Sequence, residues 1–136
     1  MQPSPNPRKT QSFRDLGYVD IAALKAAVGA VSEEMWAAEN QSKPNKIAAL
    51  DRTEHIVFRF VRSFADWRTN FDTLSWPRWR ELLEPVLTAA SAPYGYARAA
   101  YPRIMLARMR PGGVILPHQD VQPAAKWPHK VHVPLD

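Results

Sequence analysis

The sequence predicts an α+β fold: one domain with helices early in the chain and strands late. Three observations carry this. Apolar residues recur at helical spacing over 21–30, and again over 75–87, where Trp76, Trp79, Leu82, Leu83, Val86 and Leu87 form a broad stripe. Residues 55–61 alternate and are rich in β-branched and aromatic side chains, as a half-buried strand requires. Residues 104–109, 114–116 and 131–135 are short apolar segments, separated by the turn Pro111-Gly112-Gly113 and by a polar, proline-bearing loop. Such an order places helices against one side of a mostly antiparallel sheet.

Residues 1–12 hold three prolines and few apolar groups and read as a frayed tail, leaving 13–136 as the domain. Residues 13–19 lead in as a short strand or turn. Asp20 is placed to cap a helix over 21–30, with Ile21, Leu24, Ala27 and Val28 on its apolar side and Gly29 as a weak point near its end. Ser32 opens a second, short helix whose Glu33 and Glu34 suit the positive end of the helix dipole. Residues 40–46 form a polar loop. On the strand over 55–61, Ile56, Phe58 and Phe60 share one face and His55, Val57, Arg59 and Val61 the other. His55 has no second donor at ligand spacing and reads as a structural histidine. Ser75 caps the clearest helix, Pro77 sits in its first turn, and Pro85 should kink it. Its aromatic stripe is scaffold.

Composition narrows the function. The 136 residues suffice for one core, and 46% hydrophobic with 23% charged residues excludes a low-complexity or fibrous chain. No apolar run nears the ~20 residues of a membrane span, and no apolar stretch follows the charges at the N-terminus as in a secretory signal. With no cysteine there is neither a disulfide framework nor a thiolate ligand. These features point to a soluble, cytoplasmic protein. Eighteen basic against thirteen acidic residues give a formal charge of +5. The arginines are scattered and no zinc-finger or basic-zipper spacing accompanies them, so nucleic acid is a disfavoured partner. The charge fits a solvated basic surface with one or two anion ligands.

Chemistry concentrates late in the chain. His118-Gln119-Asp120 follows the apolar segment 114–116, and residues i and i+2 of a strand project together. An imidazole and a carboxylate so placed can grip one divalent metal, although a His-x-Asp pair alone is a weak signal. Lys130 and His132 stand in the same i, i+2 relation, with His129 and Val131 opposite.

Two blocks extend this. Arg108-Met109-Arg110-Pro111-Gly112-Gly113-Val114-Ile115-Leu116-Pro117-His118-Gln119-Asp120 is followed by His129-Lys130-Val131-His132-Val133-Pro134-Leu135. In content and order they resemble the aspartyl/asparaginyl β-hydroxylase branch of the Fe(II)/2-oxoglutarate dioxygenases. The resemblance runs from about Phe13 onward and is specific from Pro102. It implies a partial double-stranded β-helix, a jelly-roll or cupin-like sheet, with the N-terminal helices packed on it. It implies that His118 and Asp120 are metal ligands, and that Lys130, His132 and Arg108 meet a carboxylate of 2-oxoglutarate or of the substrate. Arg110 shares a face with Arg108, and the sequence does not choose between them. A lysine at 130, where the family commonly has arginine, keeps the charge but loses a two-pronged grip. The implied activity is hydroxylation of a peptide side chain, an amino acid or a related small molecule. The family's second iron-binding histidine and its basic clamp on 2-oxoglutarate come later than residue 136. The expectation is therefore a truncated form with an incomplete metal site, weakly active or inactive alone, and open to self-association through unpaired strand edges. The alternatives are a non-catalytic binding module and, last, a basic nucleic-acid-binding domain.

Overall fold

The computed structural model describes residues 14–46, 53–113, 123–126 and 128–136. Two helices come first, α1 (Ala22–Gly29) and α2 (Glu33–Ser42), then strands β1 (Thr53–Ser63) and β2 (Asp66–Asp72). Helix α3 (Trp76–Ser91) runs into a 3₁₀ turn, Ala92–Tyr94, and β3 (Ile104–Met109) follows, with a single helical turn at Pro123–Lys126. The strands form one antiparallel sheet in the order β2-β1-β3. The α+β expectation holds.

Local chemistry explains most boundaries. Ser32 caps α2, its hydroxyl accepting the Met35 amide at 3.1 Å, whereas the N-cap of α1 is Ile21 and Asp20, one residue before it, accepts the Ala22 amide at 3.1 Å. Helix α2 reaches Ser42, well into the polar stretch read as a loop, because Asn40 is bound from outside: its Oδ1 accepts the His55 amide at 3.1 Å. Ser75 does not cap α3; its hydroxyl donates instead to Glu39 Oε1 at 2.8 Å and ties α3 to α2. The helix continues through Pro85 to Ser91 and buries Trp76, Leu83, Val86 and Ala90. The 3₁₀ turn that follows it ends at Gly95, whose φ of 65° suits a residue without Cβ.

Two cores lie on opposite faces of the sheet. Ile56 and Phe58 of β1 and Ile104 and Leu106 of β3 meet Leu24, Trp36, Trp76, Leu83 and Val86 from the three helices. On the other face Val57, Phe60 and Val61 gather with Ala124, Trp67, Phe71 and Met105. The expectation that Phe60 joins Ile56 and Phe58 is thus corrected. Val57 pairs with Met105 and Arg59 with Ile104, so β1 advances two residues while β3 advances one. That bulge at Phe58 shifts the alternation by one residue and sends Phe60 to the far side.

A second correction concerns 131–135. Residues 129–136 carry no strand, although Val133 and Leu135 do alternate inward against the helix-side core. Apolar alternation survives as burial, but Pro134 has no N–H to give a ladder. The intermediate segment 114–116 lies outside the described residues.

Candidate functional site

The register of β1 on β3 decides which side chains share a face. Glu54 stands opposite Arg108 and Ile56 opposite Leu106, on the helix side; Thr53, His55 and Val57 stand opposite Met109, Ala107 and Met105 on the other.

On the helix side Arg108 is engaged through both Nη atoms, while its Nε is shielded from solvent without a partner among the described residues. Its Nη1 and Nη2 donate to the two oxygens of Glu33, both at 2.9 Å, and Nη2 also reaches Glu54 at 3.1 Å. Its guanidinium lies over the ring of Trp36. Arg110 joins through Nη2 to Glu33 at 2.7 Å and Nε to Glu54 at 3.0 Å. Hydrogen bonds from Arg108 and then Arg110 hold the Glu33 carboxyl at about 2, well below its usual 4.5. The same contacts to Glu33 raise both guanidinium pKa values. This quartet fastens α2 to β1 and β3, with Arg108 and Arg110 acting together.

The opposite face is polar in a different way. His55 is buried and its Nδ1 lies 3.1 Å from Lys43 Nζ, which also donates to the Thr53 carbonyl at 2.9 Å. Burial, then the Lys43 charge, push the imidazole down to about 4, so it is neutral near pH 7. Its structural reading holds. Nearby, Asn45 is 3% exposed and gives its Nδ2 to Met105 Sδ at 3.8 Å. Asn45 Oδ1, Thr53 Oγ1 and both Nε and Nη2 of Arg103 are shielded from solvent without a hydrogen-bond partner among the described residues. The Arg103 guanidinium carbon sits 4.9 Å from the centre of the Phe60 ring and 5.9 Å from that of Phe64. Burial lowers its pKa.

A third group lies where the chain's last described segment crosses the end of α3. His129 stacks on Tyr94 at 4.3 Å between ring centres, Tyr94 stacks on Tyr96, and the Tyr96 hydroxyl meets His129 Nδ1. Burial, then Tyr94, raise the Tyr96 pKa.

Of the residues the sequence singled out, His118 and Asp120 lie outside the described residues. Lys130 and His132 are both exposed, and Arg108 is on the helix side in the quartet above. Two cavities of about 300 and 310 Å³ flank Glu39, Ser75 and Arg78 where α2 meets the start of α3. They lie against helix α2 and far along the chain from the predicted site residues. Among the described residues no three histidine, aspartate or glutamate side chains are grouped to hold a metal. His55 Nδ1 faces Lys43 Nζ and His129 Nδ1 faces the Tyr96 hydroxyl. Arg103 and Asn45 were not picked out by the sequence. Their distinction arises from rings and burial that only the fold supplies.

No family model, curated protein or solved structure matches the chain. Among the described residues no helix is long and apolar enough to cross a membrane.

Proposed function

We propose that the chain carries part of the site of an Fe(II)- and 2-oxoglutarate-dependent hydroxylase of the aspartyl/asparaginyl β-hydroxylase kind, on a partial jelly-roll sheet. The observation that carries this is the ordered pair of blocks, Pro117-His118-Gln119-Asp120 after a Pro-Gly turn and His129-Lys130-Val131-His132-Val133-Pro134-Leu135 after it. His118 and Asp120 supply two donors of the type such an iron takes, and the third comes from outside the described residues. Bound iron with 2-oxoglutarate would supply the oxidation; the protein orients and shields. The segment bearing both donors leads directly to Ala124, which is buried on the sheet face opposite the helices, the face that also gathers Arg103, Asn45 and Thr53. The substrate is an amino acid, peptide side chain or related small molecule, and the compartment cytoplasmic.

A second reading, a binding module without turnover, draws on the absence, among the described residues, of three grouped metal donors. The nucleic-acid reading has less behind it, since Arg59, Arg68, Arg80, Arg108 and Arg110 each face a carboxylate of the same chain.

Anaerobic equilibrium dialysis against Fe(II), paired with assay of succinate formed from 2-oxoglutarate, separates these. Retention of one iron that His118→Ala and Asp120→Asn both abolish is the expected result. Iron held equally by the variants, or by none of the three proteins, sinks the metal site. Iron retained without succinate favours the binding module.

A further inference from the structure

We propose that Arg103 is an anion-binding residue whose ligand is the carboxylate of a small molecule, held on the sheet face opposite the helices. The inference stands apart from the iron reading, since it uses neither His118 nor Asp120.

The argument begins with how this chain treats its other arginines. Arg59 faces Asp72, Arg68 faces Asp66, Arg80 faces Glu84, and Arg108 and Arg110 share Glu33 and Glu54. Most of these pairs are exposed and could tolerate a missing partner. Arg103 is half-buried, and among the described residues its Nε and Nη2, both shielded from solvent, meet no acceptor. A guanidinium shielded from water without a counter-charge is costly, and such groups call for a partner.

The geometry specifies the kind of partner. Nε and Nη2 are the side-on edge of the guanidinium, two parallel N–H donors whose spacing matches the two oxygens of a carboxylate. Phe60 and Phe64 pack against the cation and leave that edge to one side. Cation–π contacts hold the plane of the group but satisfy no N–H donor. The surroundings are suited to a small organic acid: Met105 follows Arg103 by two residues on the same face, and Asn45, against Met105, keeps Oδ1 as a buried acceptor without a donor. A carboxylate ligand bearing a hydroxyl or amine would answer both vacancies of hydrogen bonding. The lowered pKa of Arg103 has burial as its cause, and a bound anion would reverse it.

The test is a titration of the full, ¹⁵N-labelled chain in EDTA, with acetate, succinate and inorganic phosphate as separate probes, following the Arg103 Nε–H resonance. Saturable movement of that resonance with acetate or succinate is expected, with about tenfold weaker binding, read in both proteins from the Met105 backbone amide, in Arg103→Lys, which keeps the charge but loses the fork. Arg80→Lys, on the exposed face of α3, should bind as the parent does. A resonance unmoved by every probe would make Arg103 a ring-packed structural cation and overturn the proposal. So would tighter binding of phosphate than of either carboxylate, or undiminished carboxylate binding in Arg103→Lys. Should that variant fail to fold, the resonance of the parent protein decides alone. EDTA keeps the outcome independent of whether the chain holds iron.

Discussion

Arg108 and Trp36 are joined face to face: the guanidinium carbon of the strand residue lies 4.4 Å from the centre of the helix residue's ring. Trp36 is itself 3% exposed, so the cation is laid onto the helix-side core and its donors fan outward to Glu33 and Glu54. Replacing Arg108 by Lys keeps the charge but loses the fork and most of the stacking. Urea denaturation should show a loss on the order of 1–2 kcal/mol. An unchanged midpoint would mean that the quartet does not fasten α2. The engagement also bears on the carboxylate-binding role implied for Arg108: Glu33 and Glu54 hold its two Nη atoms, and among the described residues only Nε is left without a partner.

His55 predicts a pH dependence. Its folded pKa of about 4 lies below the ordinary 6.5, so the neutral ring is the one the fold accommodates. Below pH 6.5 the unfolded chain takes up the proton first. The stabilising contribution is therefore complete above about 6.5 and is lost as the pH falls toward 4. The loss should be on the order of 2–3 kcal/mol. Denaturant midpoints measured across this window should slope downward in the parent and lose most of that slope in His55→Gln.

Phe58 is 0% exposed and lies 5.8 Å from Trp79 between ring centres, at the point where sheet and α3 meet. Phe58→Ala should cost about 3–5 kcal/mol, as expected for an emptied aromatic site. Trp79→Ala, only half buried, should cost less. Guanidinium unfolding of both variants checks the order, and a reversed order would misplace the centre of the core.

The sequence showed those parts of the fold that depend on neighbours in the chain. The stripe of α3, the hydroxyl of Ser32 over Met35 and the strand at 104–109 all follow from local spacing. What it hid depends on distant partners. Strand β2 was missed because its hairpin turns at Phe64-Ala65 without the glycine or asparagine that flags a tight turn. Ser75 looks like a cap, and only the approach of Glu39 diverts its hydroxyl. Of the site, Arg108 was picked out, but Glu33, 75 residues away, could not be read as its partner. Arg103 differs from its neighbours only because Phe60 and Phe64 fold over it.

The extra residue at Phe58 makes the length of β1 matter as much as its composition. Most single substitutions along this strand would disturb one contact. Deleting Phe58 would let Val57 and Arg59 pair with Met105 and Ile104 in unbroken alternation and keep Phe60 on its present side, at the loss of a fully buried ring. Adding or removing a residue between the bulge and Phe60, with the bulge kept, would instead turn Phe60 toward the helices and take the nearer ring from Arg103. Changes of chain length here should therefore be tolerated far less by evolution than changes of residue.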